Sequence, residues 1–204
     1  MTIDKIMRTA PVIPVLVLDG SLDPAALAET LVEAGLPVLE VTLRTPQALD
    51  AIRAMSAVPG AIVGAGTVLN ERQLDEAVAA GSQFIVSPGL TEPLAKAVIQ
   101  SGVAYLPGVA TAGDIMRGLD LGLERFKFFP AEAAGGIAAL KALSGPFADA
   151  RFCPTGGIRV HSADGWLAMP SVLCVGGSWL VQPGDTDLGP VAGRARIAAA
   201  LSRK

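Results

Sequence analysis

The chain has a single histidine, His161, and only two cysteines, Cys153 and Cys174, with no CxxC or HExxH spacing. That shortage argues against a transition-metal site, which draws on such ligands grouped at short intervals. Two cysteines are also too few for a disulfide framework and read as reduced, buried thiols of a cytoplasmic protein. Charge is scarce too: Asp, Glu, Lys and Arg make up 17% of 204 residues, against roughly a quarter in ordinary globular chains. The 16 basic residues are scattered and the net charge is −3, so there is no nucleic-acid footprint and no polybasic membrane patch. Asp4 and Asp19 flank the first apolar run, which is therefore expected as a strand and not a secretory signal. The uncharged stretch 165–184 is broken by Pro170, Gly176-Gly177 and Pro183. It reads as a buried strand between loops, not a membrane span.

Hydrophobic residues, by contrast, reach 51%, as expected of a compact barrel or an oligomer with buried faces. The length suits one large domain over 1–204. Eight apolar runs recur: "VIPVLVL", "VLEVTL", "AIVGAGTV", "QFIVSP", "AYLPGV", "RFKFFP", "RFCPTG" and "VLCVGG". They start about every 20 to 26 residues, the period of a strand–helix unit. Helical segments are predicted between them, among them 23–34, 46–56, 71–80, 91–100 and 111–120. Asp23 before Pro24, and Thr91, are cap-like openings, and Gly35, Gly81, Gly102 and Gly122 stand where helices end. Near-continuously apolar strands alternating with helices give an α/β fold with a covered parallel sheet, and eight repeats fit a closed (β/α)8 TIM barrel. An open doubly wound sheet is the alternative, but "VLVLDGSLDP" lacks the GxGxxG such folds place after the first strand.

Polar residues inside such strands are the informative exceptions. In "LEVTLRT", Glu40, Thr42 and Arg44 share one face and Leu39, Val41 and Leu43 the other. They are either a structural ion pair or part of a site. The glycines of "GAGTV" leave space beside Thr67. In "FKFFPAE", Lys127 has the parity opposite to Phe126 and Phe128, so it points into the barrel if the rings face the helices. It is a snorkelling lysine or a catalytic one. Apolar surroundings and a nearby cation such as Arg44 would favour the neutral, nucleophilic amine. "CPTGGI" and "VGGSWL" end the seventh and eighth strands with glycine pairs, where barrels commonly hold phosphate, and Ser178 adds a hydroxyl. Tight turns are the plain alternative. Trp166 and Trp179 read as packing residues and His161 as a surface loop residue.

Taken together, "EVTLRT", "GAGTV", "SPGLT", "FKFFPAE", "CPTGGI" and "VGGSWL" run nearly end to end, and the sequence resembles the bacterial KDPG aldolases. These are 2-keto-3-deoxy-6-phosphogluconate aldolases also active on 4-hydroxy-2-oxoglutarate. The resemblance implies a homotrimeric, metal-independent class I aldolase that needs no cofactor and takes a phosphorylated 2-keto acid. It implies Lys127 as the Schiff-base lysine and Glu40 as the acid/base group acting through a water. Arg44 and Thr67 would hold the pyruvyl carboxylate and Pro88 would wall that pocket. Thr155 would sit near the reacting oxygen, and Gly156, Gly157, Gly176, Gly177 and Ser178 would bind phosphate. An aldolase for the galactonate epimer, a phosphosugar isomerase or decarboxylase, and a non-catalytic phosphosugar-binding barrel are the rival readings.

Overall fold

The computed structural model describes residues 1–202. Eight strands follow one another: β1 (Val12–Leu16), β2 (Val38–Thr42), β3 (Ile62–Gly66), β4 (Phe84–Ser87), β5 (Ala104–Val109), β6 (Arg125–Phe128), β7 (Arg151–Pro154) and β8 (Val175–Gly177). The helices are α1 (Ile3–Thr9), α2 (Pro24–Glu33), α3 (Ala48–Ser56), α4 (Glu71–Ala79), α5 (Glu92–Ser101), α6 (Ala112–Asp120), α7 (Gly136–Ser144), α8 (Val160–Leu167) and α9 (Leu188–Ala199). Neighbouring strands pair in parallel in the order β7-β6-β5-β4-β3-β2-β1-β8. The parallel bridges Phe152–Val172 and Thr155–Gly176 close the ring. This is the (β/α)8 TIM barrel.

Each strand is sandwiched between two apolar layers, which is why the runs are continuous. The outward layer, among it Leu39, Val41, Val63, Ile85, Phe126, Phe128 and Phe152, packs with the helices. A separate inner cluster joins Ile13, Val38, Phe84, Leu106, Cys153 and Cys174 to Ile6 and Met7 of α1. The short first helix therefore plugs the lower end of the barrel. Asp4 ties it there, accepting from Arg8 Nε at 2.8 Å and from Arg125 Nε, at the start of β6, at 2.6 Å.

Local signals worked where they had a mechanism. Asp23 caps α2 by accepting from the Ala26 N–H at 2.8 Å, and Gly35, Gly81, Gly102 and Gly122 all lie in the left-handed region. Thr91 precedes α5 but its side chain makes no capping bond. His161 stands in the first turn of α8, exposed, so it is a helix residue and not a loop residue. In 165–184 only three residues are strand, the beginning being the end of α8. No described helix is long and apolar enough to cross a membrane.

Candidate active site

Above the inner apolar cluster the barrel interior turns polar. Glu40 and Lys127 are 3% and 5% exposed, and Lys127 Nζ donates to Glu40 Oε1 at 2.8 Å. Two buried opposite charges in hydrogen-bond contact are an ion pair. The amine expected beside a cation thus has a carboxylate as its hydrogen-bond partner. Phe129, following Lys127 at the same parity, sets its ring 5.5 Å from Nζ.

The glycines of β3 explain how the carboxylate fits. Glu40 and Thr42 lie opposite Gly64 and Gly66 in register, and a Cβ at Gly66 would overlap the Glu40 carboxylate. Gly64 likewise makes room for the Phe84 ring. The space expected beside Thr67 is used by Glu40.

Arg44 departs from the strand reading. The strand stops at Thr42, whose hydroxyl donates to Leu16 O at 2.9 Å. Arg44 follows in a turn and is exposed at the mouth, where its Nε donates to Thr67 Oγ1 at 3.2 Å. Thr67 holds φ at +60°, unusual for a β-branched residue, and such strain persists where the surroundings fix it. Arg44 and Thr67 therefore meet each other, while Arg44 makes no ion pair with Glu40 among the described residues.

Pro88 lies just past β4 and is half-buried. Its carbonyl sits on Gly108 so closely that a Cβ there would overlap it, and Gly108 is the register neighbour of Lys127. Ser87 Oγ gives its one proton to Gly89 O at 2.7 Å, so Tyr105 donates its hydroxyl to Ser87, also at 2.7 Å. Burial pushes the Tyr105 phenol above its ordinary range.

Thr155 is 6% exposed and closes the barrel against Gly176, where a Cβ would overlap its hydroxyl. The residues after β6 zip onto those after β7: Ala131 N–H donates to Thr155 O at 2.8 Å and Glu132 N–H to Gly156 O at 3.1 Å. Gly156 and Gly157 have φ of +104° and +81°, a conformation that turns the chain at the mouth. Gly177 is buried with the Trp179 ring packed against it, and Ser178 is exposed. A cavity of about 340 Å³ at the mouth is lined by Val15, Arg44 and Ser178 among others. A second, of about 360 Å³, includes Gly157, Ser178 and Trp179.

The structure thus gathers the residues singled out in the sequence at one end of the barrel, in two tiers: Lys127, Glu40 and Thr155 inside, Arg44, Thr67, Pro88 and the glycine loops around the rim. Sequence reasoning gave no role to Phe129, although its parity marks it as inward, nor to Tyr105. Glu132 also went unremarked; its Oε1 accepts from Trp166 Nε1 at 3.1 Å.

A TIM barrel with a buried lysine–carboxylate pair beneath an open mouth belongs to the class of barrel enzymes with an internal lysine. More specifically, the sequence model of the aldolases described as KDPG and KHG aldolase matches residues 3–192, and the chain belongs to that family. A 2-dehydro-3-deoxy-phosphogluconate aldolase of Zymomonas mobilis is 57% identical over 201 residues, 98% of this chain and 97% of the relative. The crystal structure of a Zymomonas mobilis 2-keto-3-deoxy-6-phosphogluconate aldolase with 3-phosphoglycerate matches at a TM-score of 0.96 and 56% identity, covering 98% of this chain and 96% of that one. A KDPG aldolase from Legionella pneumophila, with pyruvate captured as a covalent carbinolamine, matches at 0.90 and 43%, covering 98% and 97%.

Proposed function

We propose that this chain is a class I aldolase. It cleaves 2-keto-3-deoxy-6-phosphogluconate to pyruvate and glyceraldehyde 3-phosphate, and 4-hydroxy-2-oxoglutarate to pyruvate and glyoxylate. The observation that carries this reading is the buried 2.8 Å contact between Lys127 Nζ and Glu40 Oε1. The carbinolamine of the Legionella relative and the phosphoglycerate of the Zymomonas relative support it.

In this reading Lys127 gives its proton to Glu40 and adds to the C2 ketone. Glu40 returns that proton to the carbinolamine hydroxyl, which departs as water and leaves a protonated imine beside the restored carboxylate. Glu40, through a water, removes the proton of the C4 hydroxyl as the C3–C4 bond breaks, and the bonding pair moves into the imine to form an enamine. The aldehyde departs, the enamine is protonated at C3, and hydrolysis returns pyruvate and the free amine. The iminium is the electron sink, so the chemistry asks for no metal ion. Arg44 and Thr67 hold the pyruvyl carboxylate, with Pro88 as the wall. Thr155 bonds near the reacting oxygen. The N–H groups of Gly156, Gly157, Gly176 and Gly177, with the Ser178 hydroxyl, take the terminal phosphate and orient the substrate from a distance. The protein works as a single domain over 1–204, assembled as a homotrimer in the cytoplasm.

Pyruvate with borohydride should fix one reduced pyruvyl group on Lys127, read by peptide mass, and the same preparation should sediment as a trimer. Folded protein without that adduct ends the Schiff-base assignment. Pyruvate release from 2-keto-3-deoxy-6-phosphogluconate, its galactonate epimer and 4-hydroxy-2-oxoglutarate separates this reading from an epimer-specific aldolase. Binding of these sugars without turnover would make the protein a non-catalytic barrel.

A further inference from the structure

The 360 Å³ recess beside the mouth is lined by Gly157, Ile158, Ser178, Trp179 and neighbours, and by one charged residue, Arg159. Arg159 is exposed at the N-cap of α8, and no carboxylate pairs with it among the described residues. Arg194, in an adjoining recess that shares Arg159 and Trp179, is already engaged by the Asp185 carboxylate and the Leu180 carbonyl. Trp179, which lines both recesses, carries a buried indole N–H without a partner.

Glu132 flanks the glycine turn, and its carboxylate accepts from Trp166 Nε1. The stem of Glu132 packs so closely against Gly157 that a Cβ there would come within 2.7 Å of its Cγ. Backbone N–H groups present only partial charges, and a phosphate dianion on them would feel the repulsion of Glu132. A cation facing the anion from the open side would offset that repulsion, and a guanidinium that binds two phosphate oxygens at once suits that geometry.

We propose that Arg159 is a specificity-determining residue: its guanidinium engages the terminal phosphate of the substrate and sets the preference for phosphorylated over unphosphorylated 2-keto acids. The proposal rests on the aldolase reading above and adds to it a ligand outside the glycine loops.

Steady-state pyruvate release by wild type, Arg159→Ser and Arg159→Lys tests it, serine being chosen because it is a good N-cap residue. Arg159→Ser should lower the ratio of kcat/KM for 2-keto-3-deoxy-6-phosphogluconate over 4-hydroxy-2-oxoglutarate by about tenfold or more. The loss should fall mainly on KM, with Arg159→Lys retaining part of the preference. A ratio unchanged within about twofold overturns the proposal. Tryptophan fluorescence titrated with glycerol 3-phosphate reads the same contact without turnover, and equal affinity of wild type and Arg159→Ser also overturns it. Arg159-dependent binding of glycerol 3-phosphate by a protein that releases no pyruvate would sustain the phosphate contact while removing the aldolase reading.

Discussion

Lys127 and Glu40 constrain each other. Removing either partner of a buried pair leaves a lone charge out of water, at a cost of about 3–5 kcal/mol, so alanine variants would confuse stability with chemistry. Glu40→Gln keeps the shape and an acceptor oxygen while discarding the base. Turnover should fall by roughly 10²–10⁴ while borohydride still traps the pyruvyl adduct. Near-normal turnover would remove Glu40 from its acid/base role. The inward parity of both residues could be read from their alternation with Val41, Leu39, Phe126 and Phe128. Their contact could not, because 87 residues separate them and only the closure of the ring sets the distance. Arg44 stands past the end of the strand, which stops at Thr42, and its guanidinium bonds Thr67.

Strand β3 acts on the site by what it omits. Gly66→Ala would drive a methyl into the Glu40 carboxylate, and overpacking of this kind costs about 1–3 kcal/mol. Denaturant midpoint and kcat should therefore fall together. If both stay unchanged, Glu40 has more room than its packing indicates. The eight apolar runs, each buried on both faces, made the strands legible, and a helix long enough for two or three turns showed its ends through Asp23 or Gly102. The shortest helix escaped, because the seven residues of α1 are too few for periodicity to stand out. Strand β8 keeps only three residues, yet the apolar run "VLCVGG" still marked it.

The barrel as a whole depends on α1 staying seated, and Asp4 is its tether. The hydrogen bond from Arg8 foremost, and the bond and charge of Arg125, hold the Asp4 carboxyl below the usual aspartate range against the opposing effect of burial. At Asp114 burial works upward, but the N–H groups of Ala110 and Thr111 and the Thr111 hydroxyl outweigh it, and this carboxyl too is lowered. A group depressed in the folded state lends stability above its unfolded pKa and loses it as pH falls through the folded value. Melting temperature should therefore be level near neutrality and decline below about pH 4. Asp4→Asn should flatten part of that decline, and an identical slope would show that the tether does not contribute.

The plug formed by Ile6 and Met7 also dictates traffic. A barrel stoppered at its base has one doorway, and under the proposed chemistry the phosphate-bearing fragment stands nearer that doorway than the fragment bonded to Lys127. The aldehyde leaves first because pyruvate stays bonded to Lys127, and with a seven-residue helix closing the opposite pole both products share the same exit.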